Sequence, residues 1–115
     1  MLLTRQQIVN LLSKFTLAKT QSNVPYSLSF QEVEVKALKT TVSSLLNETF
    51  EHSGTLFTIP SNLSIGENDP VVTLVIYFWK DSYYMNNNQL ENNSLTQVVE
   101  AEIYDDSNNL MSISN

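Results

Sequence analysis

Val71-Val72-Thr73-Leu74-Val75-Ile76-Tyr77-Phe78-Trp79 is the stretch on which the fold turns. It is rich in β-branched and aromatic side chains, and only Thr73 is polar. Both phases of its period-two pattern are apolar, which is what a strand covered on two faces requires. The run is far short of the ~20 apolar residues that a helical membrane span needs. It is therefore predicted to be the central strand of the core.

Downstream, Lys80 to Ser94 is a polar insertion carrying Tyr83-Tyr84-Met85 and an Asn86-Asn87-Asn88 run. Loops of such length are often interactive, which makes Tyr83 and Tyr84 candidate contact residues. From Leu95 to Tyr104 the pattern alternates again: Leu95, Gln97, Val99, Ala101 and Ile103 share one face. Thr96, Val98, Glu100, Glu102 and Tyr104 share the other. Asp105-Asp106-Ser107-Asn108-Asn109 is turn chemistry, and Leu110 to Ser114 is predicted to close a hairpin.

Upstream, Thr55 to Ile59 reads as a strand stopped by Pro60, and Glu51-His52-Ser53-Gly54 as an exposed turn before it. Thr40 to Phe50 suits either a strand or a short helical turn. Tyr26, Leu28 and Phe30 alternate with serines, and Val33, Val35 and Ala37 with charged residues. The phase changes at Gln31-Glu32, so a bulge joins one strand or a bend separates two. At the start, Thr4 and Gln7 form a capping-box pattern. Ile8, Leu11, Leu12 and Phe15 follow at helical spacing, predicting a helix over Thr4–Ala18 with that stripe as its packing or interaction face.

The predicted architecture is mainly β: an antiparallel β-sandwich with one N-terminal amphipathic helix. Residues 1–20 hold the helix and 24–115 the sandwich module, expected to be part of a larger domain or chain.

The 115 residues suffice for one modest core. Charged residues make up only 16% and hydrophobic ones 42%, with Asn, Ser and Thr replacing the missing charge. Those short polar side chains favour turns and exposed strand faces over helix interiors. The net charge of −6 is unevenly spread. Residues 1–40 carry five bases against two acids, and the remainder carries Lys80 against ten acids. A nucleic acid would be repelled by most of this surface.

The chain has no cysteine, so disulfides, thiolate metal sites and thiol nucleophiles are excluded. A single histidine, His52, rules out a histidine metal cluster. Its neighbour Ser53 lies on no strand-turn-helix elbow, so a hydrolase is not expected. Glu100 and Glu102 share a strand face and offer a carboxylate pair, which a solvated face explains equally well. The Asp105–Asn109 turn has oxygens at alternate positions but lacks the glycine and the bidentate glutamate of an EF-hand. No catalytic residue, cofactor or metal site is expected.

Asn47, Asn62 and Asn92 open N-x-S/T sequons, about the number that the Asn, Ser and Thr content gives by chance. They are candidate glycosylation sites if the chain is exported, with Asn62 first. No apolar signal stretch follows Met1. A protein starting there would be expected inside the cell, whereas an internal Met1 leaves export open.

From Gly54 onward the order of features resembles a known family. Thr55-Leu56-Phe57-Thr58-Ile59-Pro60 precedes the apolar strand, and an Asn/Ser-rich insertion follows it. Then comes Ser94-Leu95-Thr96-Gln97-Val98-Val99, a Tyr104-Asp105-Asp106-Ser107-Asn108 turn and a closing Ile113-Ser114-Asn115. This resembles the region before the autoproteolysis site in the GAIN-like domains of polycystin-type and related protist surface proteins. Tyr26 to Lys36 is similar to that family's earlier strand pair. The resemblance implies a twisted β-sandwich in the extracellular part of a membrane or ciliary surface protein, acting in assembly or adhesion. The family's His-Leu-Ser/Thr cleavage motif and its cysteines are absent here, so no cleavage residue is carried over.

Three functional expectations follow. The first is a non-catalytic structural or adhesive module of a larger extracellular or ciliary surface assembly, with other protein chains or the rest of its own chain as partners. The second is an intracellular accessory subunit whose helix and Tyr83–Asn93 loop wrap a neighbour. The third is a carbohydrate- or calcium-binding sandwich using Trp79, Tyr83, Tyr84 and the Asp105–Asn109 turn.

Overall fold

The computed structural model describes residues 4–31, 33–46, 48–52, 54–59, 69–79 and 98–111. Its elements run α1 (Arg5–Lys19), β1 (Tyr26–Ser29), β2 (Val33–Thr41), α2 (Val42–Leu45), β3 (Thr49–His52), β4 (Thr55–Thr58), β5 (Val71–Trp79) and β6 (Val98–Tyr104). The chain is mainly β and antiparallel, with α1 at its N-terminal end. Four strands form one sheet in the order β1-β2-β5-β6, and β3-β4 form a separate hairpin.

The central-strand expectation holds. β5 pairs with β2 along its whole length, Val33 opposite Trp79 and Thr41 opposite Val71. On its other side β6 runs from Thr73 opposite Tyr104 to Trp79 opposite Val98. Leu74, Val75, Ile76, Tyr77, Phe78 and Trp79 are all buried. Alternation sends Val75, Tyr77 and Trp79 to one core with Val9, Val33, Val35 and Ala37. Val72, Leu74, Ile76 and Phe78 go to a second core with Leu38, Val42, Leu45, Ile59 and Ile103. α1 covers the first, and α2 with the hairpin covers the second. The facing of hairpin and sheet is consistent with a sandwich whose second β layer is only two strands wide.

The phase change separates two strands, with a bend at Gln31. Tyr26 lies opposite Ala37 and Ser29 opposite Glu34, and the Phe30 amide donates to the Val33 carbonyl. The ambiguous segment is both things in turn: Thr41 ends β2 and caps α2 through its hydroxyl. The excursion between β2 and β5 is closed by Asp69, whose carboxylate accepts from the Ser43 amide (2.7 Å) and hydroxyl (2.6 Å). Those two bonds, the hydroxyl's foremost, lower the Asp69 pKa.

Two expectations need correction. Glu51 and His52 belong to β3 rather than to an exposed turn, and the half-buried His52 ring packs against Phe78 at 5.6 Å. The helix is capped as expected: Thr4 Oγ1 accepts from the Gln7 amide, and Gln7 Oε1 from the Thr4 amide. Its packing face differs, however. Val9, Ser13 and Thr16 are buried, Ile8 and Leu12 only partly, and Leu11 and Phe15 are 60% and 48% exposed. The apolar stripe is therefore split, because large Tyr and Trp side chains of the sheet leave room only for small residues beneath the helix axis.

The Lys80–Ser94 insertion with Tyr83 and Tyr84, the residues Leu95–Gln97, and Asn47, Asn62 and Asn92 lie outside the described residues. No described helix is long and apolar enough to cross a membrane.

Candidate functional site

Polar and titratable groups converge most densely where α1 meets β5 and β6. Strand alternation turns Glu100, Glu102 and Tyr104 of β6, and Tyr77 and Trp79 of β5, toward the helix. The Trp79 indole donates to Glu100 Oε1 at 2.7 Å, and Arg5 Nε lies 3.1 Å from the same oxygen. The Tyr104 hydroxyl donates to Glu102 Oε1 at 2.6 Å, with Tyr77 a longer 3.5 Å from it. Ser13 of α1 is buried over this network, its hydroxyl donating to the Asn10 carbonyl at 3.2 Å.

Burial pushes the Tyr104 pKa up to about 12, helped by its bond to Glu102. Burial, and then the charge of Glu102, raises that of Tyr77 further. A cleft of about 160 Å³ lined by Gln6, Val9, Tyr77, Glu100, Ala101 and Glu102 opens beside this network. Both carboxylates already accept hydrogen bonds within the sheet, and the Arg5–Glu100 ion pair fastens the helix to it. Glu100 and Glu102 sit on a half-covered face, the Glu100 side chain 35% exposed beside Arg5. The available signal was their sharing a strand face with Val98 and Tyr104.

Other groups singled out in the sequence take up structural positions. Trp79 is fully buried and presents no face to a sugar. Asp105 Oδ1 accepts from the amides of Ser107 (2.8 Å) and Asn109 (2.9 Å), closing the turn. Leu110 then bridges back to Tyr104, and the Met111 amide donates to the Ile103 carbonyl. Among the described residues no group of three or more histidines and carboxylates is placed to hold a metal.

The outer surfaces are more suggestive. Leu11 and Phe15, one turn apart on α1, lie side by side and exposed. Lys14 and Lys19 flank them, with Lys19 Nζ 5.8 Å from the Phe15 ring centroid. On the opposite side of the sheet, the hairpin turns Phe50, His52 and Phe57 inward. Its outward face carries Thr49 opposite Thr58 and Glu51 opposite Leu56, which is 65% exposed. Between the hairpin and β1-β2 runs an open groove of about 300 Å³ lined by Tyr26, Lys36, Leu38, Glu48 and Phe50 among others.

Comparison with protein-family models, curated proteins and solved structures gives no match to the chain.

Proposed function

We propose that the chain is a non-catalytic structural or adhesive module of a larger extracellular or cell-surface assembly, joined to its neighbours through the outer face of α1. One observation carries the reading. α1 places Val9, Ser13 and Thr16 against the sheet, with Ile8, Leu12 and Leu17 partly buried beside them, while Leu11 and Phe15 face outward. A helix evolved only to cover the sheet would bury Leu11 and Phe15 as well, in place of Ser13 and Thr16, since burying large apolar side chains is what stabilises such a contact. The engagement of Glu100 and Glu102 by Arg5, Trp79 and Tyr104 supports the non-catalytic part.

Hydroxyl-radical footprinting tests the interface. Phe15 should be oxidised more slowly in the native assembly than in the dilute isolated chain. Equal rates would overturn the interface. The compartment is tested by mass: in native-source material at least one of Asn62, Asn92 and Asn47 should carry a glycan, Asn62 first. A bare-polypeptide mass unchanged by an endoglycosidase would place the chain in an intracellular complex instead.

A further inference from the structure

We infer that the outer face of α1 receives the outer face of the β3-β4 hairpin from a second copy of this chain, so that copies add head to tail. The inference rests on the reading of α1 as an interface and names its occupant.

The two surfaces match in both apolar content and charge. From Thr4 to Thr20 the chain has Arg5, Lys14 and Lys19 and no acidic residue. Arg5 is paired with Glu100, but Lys14 and Lys19 form no ion pair among the described residues. They frame Leu11 and Phe15. From Thr41 to Trp79 there is no Lys or Arg, and the hairpin brings exposed Glu51 directly opposite exposed Leu56. One Glu51 oxygen accepts from the Gly54 amide at 2.7 Å, which holds the carboxylate at the hairpin end. Leu56 can therefore seat against Leu11 and Phe15 while the Glu51 carboxylate meets the lysines at the rim, the arrangement of an apolar centre within a polar border.

Geometry then dictates the type of assembly. α1 covers the core built on Val75, Tyr77 and Trp79, and the hairpin covers the one built on Leu74, Ile76 and Phe78. The surfaces thus lie on opposite sides of one sheet. A contact between two different patches is heterologous, and when its rotation does not close it adds units without limit. The patch is small, so each contact is weak and transient. Its ionic rim makes it weaken as salt is raised.

Two single substitutions separate this from other modes. Phe15→Glu disables the helix surface and Leu56→Lys the hairpin surface; both positions are exposed, so circular dichroism and urea melts should match the parent chain. In sedimentation equilibrium the parent 115-residue chain should rise in average mass with concentration from 13.0 kDa to beyond a dimer. Each variant alone should remain at the single-chain mass. An equimolar mixture should form a 1:1 pair and nothing larger, because each partner supplies the surface the other lacks. If either variant fails to fold, Phe15→Ser or Leu56→Ser replaces it.

A parent chain monomeric throughout would overturn self-assembly, while leaving the footprinting result to judge the α1 interface separately. Undiminished association of Leu56→Lys would overturn the role of the hairpin and indicate helix-to-helix pairing. Failure of the mixture to pair while the parent associates would overturn the head-to-tail geometry.

Discussion

Glu102 shows how one residue's meaning depends on what lies over it. On an open strand face its carboxylate would be hydrated. Under α1 it accepts from Tyr104, and the tyrosines become harder to ionise. The sign of the resulting pH dependence follows from linkage. An unfolded tyrosine ionises near pH ~10, whereas folded Tyr104 holds its proton to about 12. This contribution to stability is complete below pH ~10 and is lost as pH rises through about 12, because the unfolded state releases its proton first. Urea unfolding between pH 8 and 12 should show that alkaline loss, and the Tyr77→Phe/Tyr104→Phe double variant should lose less. An identical alkaline slope in both proteins would show that these phenols do not report the helix contact.

At the scale of elements, α1 is held to the sheet by Val9, by the partly buried Ile8, Leu12 and Leu17, and by the Arg5–Glu100 ion pair. Thr20 Oγ1 donates to the Thr16 carbonyl at 2.7 Å and completes the helix end. Thr16 Oγ1, by contrast, is buried without a hydrogen-bond partner among the described residues. An unsatisfied buried hydroxyl costs on the order of 1–3 kcal/mol. Thr16→Val keeps nearly the same shape and removes that hydroxyl, so it should stabilise the chain by about 1 kcal/mol. Thr20→Val should destabilise it by a similar amount. Urea midpoints at constant slope measure both, and a Thr16→Val variant less stable than its parent would mean that its hydroxyl has a partner.

For the molecule as a whole, β5 is the shared wall between two cores. A cavity opened there loosens α1 on one side or the hairpin on the other. Val75→Ala, on the α1 side, and Ile76→Ala, on the hairpin side, should each cost on the order of 1–4 kcal/mol. Exposed Ser27→Ala should stay within about 0.5 kcal/mol. Because both cores use the same strand, the helical far-UV signal and the tryptophan fluorescence should disappear in one transition. Separate transitions, or equal losses for Ser27 and Ile76, would show that β5 does not couple the layers.

Local rules made part of this protein legible in its sequence. Two apolar phases in nine consecutive residues require cover on both sides, and β5 has it. Thr4 with Gln7 satisfies helix amides within one turn, whatever lies beyond, and the Asp105 side chain closes its own turn. Periodicity also located Leu11 and Phe15 on one helix flank with Ile8 and Leu12. Which part of that flank turned inward was a tertiary matter. The bulk of Tyr77, Trp79 and Tyr104 decided it by admitting Val9, Ser13 and Thr16 instead. The same packing made Glu100 and Glu102 acceptors for Trp79 and Tyr104 and set Glu100 against Arg5 of a helix about ninety residues away in sequence. A strand pattern specifies which side chains share a face; only the element laid across that face determines whether water or protein meets them.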